Sequence, residues 1–247
     1  MGQEITFQLF DFTDERNLRA TGKLQDDLVH VWQRRLAADP ISLECGNPVL
    51  SDEEHERASR FQVQNARDAF VLTRSALRVL LGAYLGQSPQ SVQFQVTKYG
   101  KPFLDPAHAL HFNVSHTDGL ALLAFAQKRR VGIDVEKIRP QPDALKLAHR
   151  FFSAKEWKQL ENLRAEELTA GFFRCWSRKE AYIKARGEGL SLPLSQFDVA
   201  VEARPGQILL ETRPDAAEAR QWLLRDVPMG SGYAAAVAVS ALESQLP

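Results

Sequence analysis

Cysteine is nearly absent from this chain: there are two in 247 residues, Cys45 and Cys175. Two cannot build a disulfide framework or a four-ligand zinc site. Cys175 falls between apolar residues in a helical pattern, so buried packing is expected for it, and the cytoplasm is the expected compartment. An excess of charge of one sign is lacking too, since 31 Lys and Arg balance 31 Asp and Glu. No global field draws the chain to nucleic acid or membrane, and any anion site has to come from local clustering. No apolar run approaches the roughly 20 residues of a membrane span. The opening MGQEITFQLFDFTDE lacks the basic-then-apolar order of a signal peptide. P-loop, G-x-G-x-x-G, H-E-x-x-H and G-x-S-x-G patterns are missing. What remains is ordinary globular composition, 44 % hydrophobic and 25 % charged, enough for one large domain or two small ones.

Residues 1–27 are mixed and weakly patterned. LVHVWQRRL (28–36) alternates as a strand, and 41–50 reads as a loop. Ser51 with Glu54 forms a capping box that opens a helix. A longer helix covers about 65–85, with Ala69, Leu72, Ala76, Val79 and Ala83 at helical spacing, and Gly86 and Pro89 end it. SVQFQV (91–96) predicts a strand, KYGKPFLDP (98–106) a loop, and ALHFNVSH (109–116) another strand. LALLAFA (120–126) predicts a buried strand, KRR (128–130) a turn and VGIDVEKI (131–138) the next strand. Ser153 with Glu156 is a second capping box, with Phe152 and Trp157 at the staple positions. The strongest helix runs from about 166 to 186 and ends at Gly187. QFDVAV, QILLET, WLLRDV and YAAAVAVS follow as short strands. HTDGLALLAFA (116–126) and GSGYAAAVAVS (230–240) echo one another, and in each case a long helix precedes them. Two similar α+β halves with a cleft between them are therefore expected.

Three carboxylates could carry chemistry. Asp134 and Glu136 lie two apart in a strand, hence on one face. A lone D-x-E is ordinarily a solvated edge, but like charges on one face repel unless a cation lies between them. Glu180 and Lys184 are one helical turn apart, ordinarily a solvated pair. Phe172 and Trp176 precede Glu180 on the same stripe, so the stripe passes from core to charge, as in a helix lining a cleft. Three hard oxygen ligands beside a lysine suit a divalent cation and a phosphate. His116 ends a strand beside Asn113, Ser115 and Thr117, where it can donate to an anion. Arg57, Arg60, Arg67, Arg74 and Arg78 are scattered over two helices, and one or two of them could grip a phosphate.

The order FNVSH, GIDVE, FFRCWSRKEAYIKARGEGL resembles that of the Sfp-type 4'-phosphopantetheinyl transferases, from the VHVW strand at residue 29 to the C-terminus. The resemblance implies two α+β halves related by a pseudo-twofold axis, with 1–27 as an N-terminal extension, 28–118 as the N-terminal half and 119–247 as the half carrying the metal. It implies transfer of the phosphopantetheine arm of coenzyme A to a serine of an apo-carrier protein, releasing adenosine 3',5'-bisphosphate. Carried over, Asp134, Glu136 and Glu180 match Mg²⁺ ligands, Lys184 the lysine that grips the diphosphate, and His116 the histidine on a coenzyme A phosphate, with Ser115 beside it. Lys98, Tyr99, Gly100, Lys101 and Pro102 match the loop around the adenine, and Arg57 a residue contacting the 3'-phosphate. His116, Glu180 and Lys184 are then the catalytic set, with Glu180 accepting the serine proton. The chain's size and internal echo suggest a monomer, since two halves can form the cleft within one chain, and the carrier is expected to be acidic, with the 41–50 loop and 139–165 as docking candidates. The competing readings are a Mg²⁺-dependent hydrolase of a nucleotide or coenzyme A diphosphate and a carrier-binding relative that transfers nothing.

Overall fold

A computed structural model describes residues 5–36, 47–203 and 208–242. Cys45 and most of the 41–50 loop lie outside the described residues. Residues 1–27, weakly patterned as a sequence, carry a strand: β1 (Thr6–Asp11) pairs in parallel with β2 (Leu28–Arg35). Its phenylalanines point to both faces, which hid the alternation: Phe7 packs on one core cluster and Phe10 on another.

Both capping boxes form. Ser51 opens α1 (Asp52–Ser59) and Ser153 opens a later helix, with the side chain accepting from N3 and the N3 glutamate returning the bond. The long helix α2 runs from Gln64 to Leu85. Its buried face is turned from the expected stripe: Leu72, Ala76, Leu77, Leu80 and Leu81 are buried while Ala83 is exposed. The leucines bury more apolar area than the alanines and decide the orientation.

The strand expected at 91–96 shrinks to β3 (Gln95–Val96), which forms a hairpin with β4 (Pro102–Phe103) inside the expected 98–106 loop. Upstream, the Arg78 guanidinium takes the carbonyls of Pro89 (3.0 Å) and Val92 (3.1 Å). The Val92 carbonyl, within the expected strand, thus bonds a side chain.

β5 (Leu110–Thr117), β6 (Leu120–Gln127) and β7 (Val131–Lys137) stand where expected. After them come α3 (Ala144–Phe151), α4 (Ala154–Glu161) and α5 (Ala165–Arg186). Phe152 and Trp157, the staple pair around Ser153, both enter the core cluster under these helices. Four strands complete the chain: β8 (Phe197–Val199), β9 (Leu209–Thr212), β10 (Trp222–Asp226) and β11 (Tyr233–Ser240). Cys175 is a buried free thiol.

The first sheet has the order β1-β2-β6-β5 and the second β10-β11-β7. The echo between 116–126 and 230–240 has a topological meaning. In each unit a strand leads to a long helix, a small hairpin and two more strands, the last of which inserts antiparallel between the others: β2, α2, β3–β4, β5, β6 and then β7, α5, β8–β9, β10, β11. Side-chain alternation sorts the layers. Leu120, Leu122 and Ala124 of β6 meet Val131, Ile133 and Val135 of β7 and Val237 of β11 between the sheets. Leu123 and Phe125 face the α2 side, while Ala234, Ala236 and Ala238 join the cluster beneath α5.

The approach of α5 rests on small residues. Gly132, Asp134 and Glu136 share the α5 face of β7, and their register partners on β11 are Ala238, Ala236 and Ala234. A Cβ at Gly132 would lie 2.2 Å from the Ala185 nitrogen and 2.3 Å from the Ala181 oxygen. We expect Gly132→Ala to lower the unfolding free energy by about 3 kcal/mol, at the upper end of overpacking costs. Denaturant melts read this, and an unchanged midpoint would show that α5 does not need the contact.

Candidate active site

The carboxylates meet where β7 faces α5. Asp134 is 3 % exposed, the opposite of a solvated edge. Its Oδ1 accepts from the Lys184 ammonium (2.6 Å) and from the Ser115 hydroxyl (2.9 Å). Lys184 also donates to Ser115 Oγ (3.0 Å). Oδ2 of Asp134 is buried without a hydrogen-bond partner. Glu136 and Glu180 are half-buried beside it. Burial first, then the Asp134 charge, raises both carboxyls, while Lys184 opposes this, and Glu180 reaches about 7. The cluster thus carries three carboxyls against one ammonium.

Helix and strand periodicity place these groups, and the neighbouring charged residues of the same motif serve structure. Lys179, fully buried one position before Glu180, donates to the carbonyls of Leu194 and Phe197 (2.7 Å each) and pairs with buried Glu156 (2.8 Å). Arg178 holds Asp226 in a fork (2.8 and 2.6 Å). These bonds lock α5 to α4, β8 and β10 and leave Glu180 and Lys184 on the face turned to β7.

β5 supplies the other wall. The Ser115 hydroxyl and the Asn113 amide reach β7, and Asn113, Val114 and His116 line a cavity of about 970 Å³ between α1, α2 and the β3–β4 hairpin. Arg57, Gly100 and Pro102 line the same cavity, together with Phe70, Arg74 and Phe94. Burial and the nearby Lys184 ammonium lower the His116 pKa.

Arg57 lies over the Phe70 ring at 5.1 Å. Arg74 lies over both Phe70 and Phe94 and approaches Glu54 at 3.5 Å. Arg78 is committed to Glu54 and three carbonyls, and Arg60 pairs with Glu56 on the surface. Phe70 and Phe94, which no motif marks, are the cavity residues that sequence reading missed. Their signal is spatial: arginines stacked over them.

Within the 98–102 loop, Lys98 and Tyr99 are exposed at the hairpin tip, where the lysine ammonium lies 4.8 Å over the Tyr99 ring. Lys101 turns inward, and burial, with Arg130 and Lys184 nearby, lowers its pKa to about 8.

Among the described residues, no three His, Cys, Asp or Glu side chains converge as a ready metal group. The Lys184 ammonium pairs with Asp134 Oδ1 at 2.6 Å. The donor chemistry nevertheless suits a hard divalent cation, because the unpartnered Asp134 Oδ2 and the raised carboxyls of Glu136 and Glu180 are all oxygens in want of positive charge.

A profile of the 4'-phosphopantetheinyl transferase superfamily matches residues 130–238, and one for the N-terminal part of a 4'-phosphopantetheinyl transferase matches residues 41–128. The 4'-phosphopantetheinyl transferase HetI of Nostoc is 38 % identical over 78 % of this chain and 85 % of its own length. Sfp of Bacillus subtilis is 38 % identical over 68 % of this chain and 78 % of its own. The human L-aminoadipate-semialdehyde dehydrogenase-phosphopantetheinyl transferase is 30 % identical over 77 % of this chain and 67 % of its own. A holo-[acyl-carrier-protein] synthase of Thermotoga maritima superposes with a TM-score of 0.36 and 21 % identity, over 45 % of this chain and 62 % of its own. The curated relatives are transferases of a phosphate-bearing group. The chain belongs to the 4'-phosphopantetheinyl transferase superfamily.

Glu180 makes the metal-free protein pH-sensitive. Its folded pKa of about 7 lies above its ordinary 4.5, so the fold loses stability as pH rises through that window. With partial solvent screening the loss is about 2 kcal/mol. In a chelator, Glu180→Gln should therefore melt higher than the parent at pH 8 and equal to it near pH 4.5. A constant difference across that range would sink the assignment.

Proposed function

We infer that the protein transfers the 4'-phosphopantetheine arm of coenzyme A to a serine of an apo-carrier protein and releases adenosine 3',5'-bisphosphate. The observation that carries this is that successive residues of β5 serve both parts of the site: Ser115 bonds Asp134 and Lys184 of the carboxylate–lysine cluster, and His116 lines the cavity of arginine, aromatic and glycine residues. The site forms between an N-terminal half that supplies the cavity and a C-terminal half that supplies the carboxylates.

Arg57 and Arg74, stacked on aromatic rings at the cavity wall, suit the phosphate and base of the nucleotide end of coenzyme A. Gly100 and Pro102 supply backbone for the adenine edge. His116 and Lys184 point the diphosphate toward the cluster and offset its charge. The carrier serine Oγ attacks the phosphorus that bears the pantetheine arm. The new P–O bond forms as the bond to the bridging oxygen breaks, and the electron pair leaves with the adenosine bisphosphate. Glu180 accepts the serine proton.

Asp134, Glu136 and Glu180 would hold a Mg²⁺ ion, supported by the buried unpartnered Asp134 Oδ2. When bound, it supplies Lewis-acid stabilisation of diphosphate charge. A hydrolase using the same carboxylates is the weaker reading, because the superfamily match favours transfer to a carrier. The working form proposed is a cytoplasmic monomer, and no helix among the described residues is long and apolar enough to cross a membrane.

The decisive assay is a panel of apo-carriers incubated with coenzyme A and Mg²⁺ and read by mass. A gain of one phosphopantetheine arm is expected, and cleavage of coenzyme A with no carrier present would point to the hydrolase. Glu180→Gln should stay folded and lose transfer by about 10²-fold or more, the scale of a lost general base. Near-normal turnover in a folded variant would remove Glu180 from the mechanism. Lys184→Ala should weaken coenzyme A binding and turnover together, read by calorimetry and initial rates.

A further inference from the structure

Lys101 stands outside the chemistry just described, although its loop borders the cavity. Its ammonium donates to the main-chain oxygen of Lys184 at 2.6 Å and to that of Val131 at 3.2 Å. The first acceptor is one of the last carbonyls of α5, which have no partner within the helix. The second begins β7, three residues before Asp134. One cation from the β3–β4 hairpin therefore pins together the end of the helix that carries Lys184 and the start of the strand that carries Asp134.

The hairpin is built to deliver it. Thr97 N–H donates to the Lys101 oxygen, Lys101 N–H donates to Thr97 Oγ1, and Gly100 takes the left-handed conformation (φ 83°) the tight turn needs. α5 itself stops at Gly187 (φ 78°), whose N–H returns to Ile183. A positive charge at a helix C-terminus is also favoured by the helix dipole.

Lys184 lies in this last turn, where helices fray. Its side chain depends on that turn for its reach to Asp134 and Ser115. We propose that Lys101 is a positioning residue: by bridging the Lys184 and Val131 carbonyls from the other half of the chain, it holds Lys184 in register with Asp134, and it is not a contact for the nucleotide. This rests on the transferase reading for its catalytic consequence but not for its geometry. Two of the three ammonium donors are spent inside the protein, which argues against the adenine-loop role that its sequence position suggests.

The test has an arm that needs no substrate. In the free protein, competitive labelling of amines read by mass spectrometry reports how firmly the Lys184 ammonium is held. Lys101→Met keeps the apolar stem and removes the donors. It should make Lys184 label about tenfold faster, because local opening of the last turn sets the rate. If Lys101→Met does not fold, Lys101→Gln, of similar reach but with one neutral donor group, is read the same way. Unchanged labelling of Lys184 in a folded variant overturns the proposal.

The second arm is kinetic. Lys101→Met should lower turnover about 10–100-fold, the scale of a misplaced group, with KM for coenzyme A within about threefold. In a Lys184→Ala background the same substitution should cost less than about threefold, because the side chain it positions is gone. A tenfold rise in KM at unchanged turnover, or equal costs in both backgrounds, would instead make Lys101 a ligand contact or an independent element. An inactive parent would defeat the transferase reading, and the labelling result would still decide the placement of Lys184.

Discussion

Strands β5 and β7 are joined by side chains where a backbone ladder would ordinarily run. The Ile133 N–H donates to Asn113 Oδ1 (2.8 Å), Val135 N–H to Ser115 Oγ (3.4 Å) and Lys137 N–H to Thr117 Oγ1 (3.2 Å). Three alternate residues of one strand thus satisfy three alternate donors of the next, so the seam between the sheets leaves none of these N–H groups orphaned. The rest of the site depends on this joint. It sets Asp134 of β7 against Ser115 of β5, while the next residue of β5, His116, lines the cavity. Ser115 belongs to both, since its hydroxyl donates to Asp134 while accepting from Val135 and Lys184. One donor and two acceptors fill its hydrogen-bonding capacity.

Against that seam the structure sets a charge imbalance. Asp134, Glu136 and Glu180 crowd together where burial and mutual repulsion raise two of the three carboxyls. Lys184 relieves part of it, and a divalent cation or a protonated Glu180 would relieve the rest. Such strain is tolerable only on a rigid frame. The frame is the pairing of Lys179 with Glu156, the Arg178–Asp226 fork and the small-residue floor of Gly132, Ala234, Ala236 and Ala238 beneath α5.

Much of the fold was legible because periodicity and caps are local. Both capping boxes, the span of α5 and its Gly187 end, and strands β2, β5, β6, β7 and β11 follow from spacing alone. The misses were non-local. β1 forms because β2 offers an edge, the expected 91–96 strand shortens where Arg78 bonds the Val92 carbonyl, and α2 rotates to bury its larger leucines. In the site, the residue types of Asp134, Glu136, Glu180 and Lys184 announced hard-ion and phosphate chemistry. That Asp134 is buried and already bonded to Lys184 was not readable, nor was the cavity role of Phe70 and Phe94.

By itself the sequence determined which side chains share a face, since a strand repeats every second residue and a helix every fourth. It thereby paired Asp134 with Glu136 and Glu180 with Lys184. Tertiary structure alone decided that the two pairs meet, because that needs Gly132 to admit α5 and β5 to lend its side chains to β7. It likewise decided that Lys101 turns from the cavity to the carbonyls of Val131 and Lys184. Those are contacts between residues far apart in the chain, and burial, acceptor geometry and local charge exist only once the halves have packed.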